Sequence, residues 1–270
     1  MNRKKIRLGL IGKDVSKSSS ERIHTFILKE WGVECEYARF SVSPQEFDDT
    51  MRTLLGDFDG FNVTIPFKRD VFEYVEEVVG DAFACGAVNT VVCATAKGYN
   101  TDGVGFLQML QAANIDVQGK KVLVLGGGGS GRSSAAALKN AGANVCMYRR
   151  NREELEETCA QLGVTAADTP EQGGYDILIN TTGVGMHDSV GQSPVSEKAF
   201  QGASVAVDLI YTPAESEFLR LAKENGLQTF NGASMLFYQA YYADCIFLDR
   251  QPNVEEGKIL YEKYRLQYGE

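Results

Sequence analysis

Gly126, Gly128 and Gly131 lie in the stretch Val-Leu-Val-Leu-Gly-Gly-Gly-Gly-Ser-Gly, from Val122 to Gly131, and satisfy the spacing G-x-G-x-x-G. Glycines so spaced permit a tight turn and let a pyrophosphate approach backbone N–H groups at a helix N-terminus. A glycine-rich turn with no ligand would read the same, but the apolar run before it and the helical pattern after it strengthen the phosphate reading. About 20 residues on, a site for NAD usually carries Asp or Glu to hold the ribose 2′-hydroxyl. Here the chain reads Tyr148-Arg149-Arg150-Asn151-Arg152. Guanidinium groups pair with phosphate, so Arg149 and Arg150 favour NADP, the plainer alternative being a solvated basic turn.

Metal chemistry is not expected. The two histidines, His24 and His187, are far apart, which argues against zinc or another His-based site. The cysteines Cys35, Cys85, Cys93, Cys146, Cys159 and Cys245 form no Cys-x-x-Cys, and several fall inside apolar stretches, as reduced core thiols do.

The elements that must position these groups alternate. Strand-length apolar runs alternate with helix-period segments, which predicts parallel α/β architecture. Strands are expected at Arg7–Ile11, Glu34–Phe40, Gly60–Val63 and Val88–Ala94, with helices at Ser20–Trp31, Pro44–Leu55 and Phe67–Val79. A second series places strands at Val122–Leu125, Asn144–Tyr148, Asp176–Ile179 and Val205–Leu209. Its helices are expected at Arg132–Ala141, Arg152–Leu162 and Glu215–Asn225, the last closed by Gly226. Ala233 to Glu270 has helical pattern throughout. Two α/β units result, with a boundary near residues 100–120.

At 270 residues the chain is long enough to bury a core without staples. The apolar fraction of 44% and charged fraction of 23% exclude disorder, collagen and coiled coil. A net charge of −9 argues against nucleic-acid or anionic-membrane partners. The basic start is followed by too short an apolar stretch for a signal peptide, and no run approaches a membrane span. A cytoplasmic protein with a small-molecule substrate is expected.

Short motifs narrow the substrate. Gly60-Phe-Asn-Val-Thr-Ile-Pro-Phe-Lys68 resembles the G-x-N-V-T-x-P-x-K motif of shikimate dehydrogenases; Ala87-Val-Asn-Thr90 and Asn100-Thr-Asp-Gly103 resemble their A-V-N-T and N-T-D-G. Gly12 to His24 aligns with the family's G-x-x-x-x-x-S-x-S-x-x-x-H, which puts Ser18 and Ser20 at its paired serines. Asn180–Met186, Asp208–Pro213 and Asn231–Ala240 are similar to its N-x-T-x-x-G-M, D-x-x-Y-x-P and G-x-x-M-L-x-x-Q-A segments. The matches run in order over nearly the whole chain. Glu21 departs from the pattern, since proline usually follows the second serine, and Gly183 stands where a bulkier residue is frequent.

The resemblance implies reversible NADPH-dependent reduction of 3-dehydroshikimate to shikimate. It implies an N-terminal α/β catalytic domain (1–104 plus 236–270) and a Rossmann NADP-binding domain (105–235), with C-terminal helices returning to the first. Lys68 would be the proton donor and Asp102 its partner. Ser18 and Ser20 would bind the substrate carboxylate with Tyr211 nearby, and Thr64, Asn89 and Gln239 the ring hydroxyls. A serine-rich helix cap is the plainer reading of Ser18 and Ser20. Cofactor contacts would come from Gly126, Gly128, Gly129, Ser130 and Gly131, with Arg149, Arg150, Thr181 and Gly232. Family members include monomers and homodimers. Quinate as substrate, broader NAD use, and a non-catalytic protein that kept the fold are the alternatives.

Overall fold

The computed structural model describes residues 5–269, and the chain divides into two units, Met1–Gln108 with Leu236–Glu270, and Met109–Met235. In chain order the first unit begins β1 (Lys5–Gly12), α1 (Ser20–Glu30), β2 (Glu34–Ser41), α2 (Phe47–Asp57) and β3 (Gly60–Val63). It continues through β4 (Glu77–Val78), α3 (Asp81–Cys85), β5 (Thr90–Val92), β6 (Lys97–Tyr99) and α4 (Asp102–Ala112). Its six strands take the order β2-β1-β3-β5-β6-β4. β1 and β3 are buried along most of their length and lie inside the sheet. β2 alternates exposed Glu34 and Glu36 with half-buried Cys35 and Tyr37, as a charged edge strand should.

Two expectations fail here. The sheet is mixed, because β5 pairs antiparallel with β3 and β6, so the parallel α/β reading does not hold for this unit. The helix expected over Phe67–Val79 is a 3₁₀ turn, Asp70–Tyr74, followed by extended chain and β4. β-branched Val75, Val78 and Val79 favour the extended form. Glu76 and Val79 donate their backbone N–H to Ala96 and Gly98 at 2.8 and 2.9 Å, so sheet pairing overrides the helical period. β6 and α4 were not expected from pattern; β6 is a three-residue strand with a central glycine, and α4 falls in the expected boundary region.

The second unit contains β7 (Lys121–Leu125), α5 (Gly129–Asn140), β8 (Asn144–Tyr148), α6 (Arg152–Leu162), β9 (Thr165–Ala166), β10 (Ile177–Asn180), β11 (Val205–Asp208), α7 (Glu217–Glu224) and β12 (Gln228–Asn231). Its sheet is parallel throughout, in the order β12-β11-β10-β7-β8-β9. Counted from β7 this is the 3-2-1-4-5-6 order of doubly wound nucleotide-binding sheets. β10 and β11 are buried at every position, as strands covered on both faces require. The short strands β9 and β12 were missed by pattern alone.

α8 (Ala233–Phe247) and α9 (Val254–Tyr268) close the chain. In the first unit, Ala243 and Phe247 pack with Ile6, Leu8 and Leu28, so α8 shares a core with β1 and α1.

Candidate active site

Lys68 follows β3 by five residues, and its backbone carbonyl accepts from Val88 N–H at 2.8 Å, which anchors the loop against the start of β5. The Nζ donates to Asp102 Oδ2 at 2.5 Å. Their side chains are only 12% and 7% exposed, so the pair is held largely out of water. Asp102 is the first residue of α4, where a carboxylate is favoured by the helix dipole, and Asn100 Oδ1 accepts its backbone N–H at 3.0 Å.

Asn89 binds the other carboxylate oxygen: its Nδ2 donates to Asp102 Oδ1 at 2.8 Å and to Thr101 Oγ1 at 3.0 Å. Its Oδ1 accepts from Thr101 N–H at 2.9 Å and Thr90 Oγ1 at 2.9 Å. Asn62 Nδ2 donates to the Asn89 carbonyl at 3.3 Å and to Thr90 Oγ1 at 3.2 Å, and Tyr37 donates its hydroxyl to Asn62 Oδ1 at 3.2 Å. Such a fully engaged polar cluster fixes each rotamer, since any lost partner leaves a buried group unpaired.

Gln239 on α8 reaches the cluster because Gly105 on α4 has no side chain. A Cβ there would fall 2.6 Å from the Gln239 backbone nitrogen. Gln239 Oε1 lies 3.5 Å from Thr101 Oγ1, and its Nε2 is held by the Leu236 carbonyl at 2.9 Å.

Ser18 and Ser20 sit at the start of α1. Ser18 donates its hydroxyl to Ser20 Oγ at 3.0 Å, and Ser20 N–H donates to Ser18 Oγ at 3.2 Å. Ser19 holds the N-cap position and makes no side-chain cap bond; Ser18 Oγ instead accepts the N–H of Ser20, the first residue of α1, and so serves the helix start as a serine-rich cap would. Glu21 faces Arg39 at 3.3 Å, which sets a guanidinium against the carboxylate that departs from the family pattern. Thr64 is half-buried, with its backbone N–H on the Ile11 carbonyl at 2.9 Å. Tyr211 belongs to the second unit and is 40% exposed. Asn62, Thr101 and Tyr37 were not singled out from sequence; the first two lie inside the very motifs that carried Thr64 and Asp102.

In the second unit the glycine turn leaves β7 at the point where strand order reverses, the usual crevice for a nucleotide. Gly126 has φ +108, which only glycine adopts readily. A Cβ on Gly131 would stand 2.6 Å from both the Gly126 carbonyl and Thr181 Oγ1, whereas beside Gly128 there is open space. Gly128 is the N-cap of α5, and Gly129 and Ser130 form its first turn. Thr181 donates its hydroxyl to the Leu125 carbonyl at 2.7 Å, tying the ends of β10 and β7. Gly232 passes so close to Leu209 that a Cβ would meet its carbonyl oxygen at 2.1 Å.

Arg149 follows β8, half-buried, and pairs with Glu154 of α6; Arg150 is exposed. Arg152 is drawn off to Glu156 and Asp168 at 2.6 and 3.0 Å. A cradle without side chains, a helix N-terminus and two guanidinium groups beyond the next strand fit a dinucleotide carrying a 2′-phosphate. Among the described residues no group of three or more His, Cys, Asp or Glu could hold a metal, and no helix is long and apolar enough to cross a membrane.

Comparison with known proteins agrees with this geometry. Residues 10–91 match the family model described as shikimate dehydrogenase substrate binding domain. A shikimate dehydrogenase (NADP(+)) of Caldanaerobacter subterraneus subsp. tengcongensis is 40% identical over 87% of this chain and 89% of its own. That of Shouchella clausii is 36% identical over 92% and 94%. Among solved structures, shikimate 5-dehydrogenase from Thermus thermophilus, in complex with NADP(H) and shikimate, superposes with a TM-score of 0.87 at 31% identity, covering 96% of this chain and 99% of that one.

Proposed function

The chain belongs to the shikimate dehydrogenase family, and from that premise we propose that Lys68 and Asp102 are the acid/base pair for the reversible NADPH-dependent reduction of 3-dehydroshikimate to shikimate. The observation that carries this assignment is the Lys68–Asp102 bond, buried and locked by Asn89. NADPH, when bound, supplies the hydride; one proton is consumed as the ketone becomes an alcohol.

As hydride reaches the carbonyl carbon, negative charge develops on its oxygen. Lys68 donates a hydrogen bond and then its proton to that oxygen, and in the reverse direction takes the proton from the hydroxyl. Asp102 orients the ammonium and offsets its charge. Ser18 and Ser20 bind the substrate carboxylate through hydroxyl donors that need no fixed charge. Asn89, Thr64 and Gln239 read the ring hydroxyls, and a site of this kind rejects an analogue lacking one because its own polar groups go unpaired. Gly126 to Gly131, Thr181 and Gly232 make room for the dinucleotide, and Arg149 and Arg150 pair with its 2′-phosphate. Burial pushes the Cys35, Cys93 and Cys245 thiols up to about 12, so they stay protonated and poorly nucleophilic.

The test is NADPH absorbance followed with dehydroshikimate, and in reverse with shikimate or quinate against NADP and NAD. Shikimate with NADP is expected to give the highest kcat/KM. Lys68→Ala should lower kcat by a factor of about 10³ or more with little change in shikimate affinity. Near-normal turnover by folded Lys68→Ala protein would reject the role.

A further inference from the structure

His24 and Asp244 are both fully buried, and they meet at 2.6 Å between Nδ1 and Oδ1. His24 Nε2 and Asp244 Oδ2 have no hydrogen-bond partner. Neither residue enters the reaction assigned above. Burying two ionisable groups is costly, and an apolar pair of similar volume stabilises a core as well or better. What an apolar pair lacks is direction: the bond to Asp244 fixes the plane of the imidazole ring.

That ring's position gives the direction a use. His24 stands four residues after Ser20 on α1, hence on the same helix face, and Asp244 stands five residues after Gln239 on α8. The pair therefore cross-links the two helices that carry a carboxylate-binding serine and a hydroxyl-reading glutamine. The ring also stacks on Tyr37, with centroids 5.1 Å apart and planes at 18°. The Tyr37 hydroxyl donates to Asn62 and also interacts with the Ser20 side chain, and Asn62 in turn holds the Asn89 carbonyl.

We infer that the His24–Asp244 pair is a positioning device for the substrate site, setting Tyr37 and through it Ser20, Asn62 and Asn89. This rests on the assignment of those residues to substrate made above. Asp244→Asn keeps an acceptor for His24 Nδ1 and should leave kcat and KM for shikimate within about twofold of wild type. Asp244→Ala removes the bond and should lower kcat/KM for shikimate about tenfold, with KM for NADP unchanged. In His24→Leu/Asp244→Ala no charge or imidazole is left unpaired; it should recover the wild-type melting temperature but not the kcat/KM.

Recovery of stability without recovery of turnover is the signature that a purely structural pair would not give. Wild-type kcat/KM in the double variant, equal losses in Asp244→Asn and Asp244→Ala, or a parallel rise in KM for NADP would each overturn the inference. Wild-type turnover of shikimate is the control. If it is present while the variants match it, the positioning role falls and the assigned reaction stands; if it is absent, both fall.

Discussion

The two units prepare their sites by opposite means. In the first, side chains do the work: Lys68, Asp102, Asn89, Thr101, Thr90 and Asn62 hold one another at 2.5–3.3 Å, with hardly a polar atom left over. In the second, the decisive feature is missing side chains. Gly126, Gly131 and Gly232 matter because any Cβ would strike the backbone or Thr181. A site made of side-chain hydrogen bonds is sensitive to single atoms, and on the assignment proposed above it governs turnover. A site made of exposed backbone is sensitive to volume, and on the same assignment it governs cofactor binding.

Substitutions that separate kcat from cofactor affinity test this contrast. The largest effect beyond Lys68 is expected at Asn89. Asn89→Ala strips a donor from Asp102 Oδ1 and leaves Thr101 N–H and the Thr90 hydroxyl without their acceptor. Turnover should fall about 100-fold, stability by about 1–3 kcal/mol, and KM for NADP not at all. Steady-state kinetics and urea unfolding measure both; a rise in the cofactor's KM would blur the division. Gly131→Ala is the mirror case. Its methyl would sit 2.6 Å from the Gly126 carbonyl, so KM for NADP should rise tenfold or so while KM for shikimate stays put.

A smaller effect, of opposite sign in two variants, sharpens the cofactor side. Glu154 occupies the Arg149 guanidinium that the 2′-phosphate would use. Glu154→Gln should tighten NADP by a few-fold, and Arg149→Ala should weaken it by a similar factor, with NAD use unmoved in both. Isothermal titration with each dinucleotide reads this directly. Equal responses for NADP and NAD would show that the arginine does not see the phosphate.

The same contrast explains what the sequence made visible. The glycine turn is local: strand, turn and helix follow one another from Val122 to Asn140, so physical reasoning on spacing reached it unaided. The polar cluster is not local. Asn62, Lys68, Asn89, Asp102 and Gln239 meet only after β3, β5, α4 and α8 have assembled, and nothing in their spacing announces that meeting; the family motifs supplied Lys68, Asn89, Asp102 and Gln239, and Asn62 emerges only from the fold. The Phe67–Val79 helix failed for a related reason, since its extended half is fixed by partners about 20 residues away at Ala96 and Gly98. His24 and Asp244, 220 residues apart, had no local signal as a pair.

Each unit also buries one carboxyl that burial pushes above the usual range, and they differ in how well it is satisfied. Asp208 accepts from Ile210 N–H and Asn180 Nδ2, both at 3.0 Å, and from the Ser216 hydroxyl at 2.5 Å; these bonds offset part of the burial. Asp244 has the His24 contact to oppose the same burial, and a second oxygen without partner. A raised value means that the fold holds the proton more tightly than the unfolded chain does. Stability is then greatest below the ordinary carboxylate range and is lost as pH rises through the raised value. Asp208→Asn abolishes that titration. The unfolding free energy of wild type minus that of the variant should therefore decline from about pH 4 upward, by at most about 1.4 kcal/mol per pH unit, and then level off. Urea unfolding at a series of pH values measures it. A difference that grew with pH would mean that the three hydrogen bonds outweigh burial at Asp208.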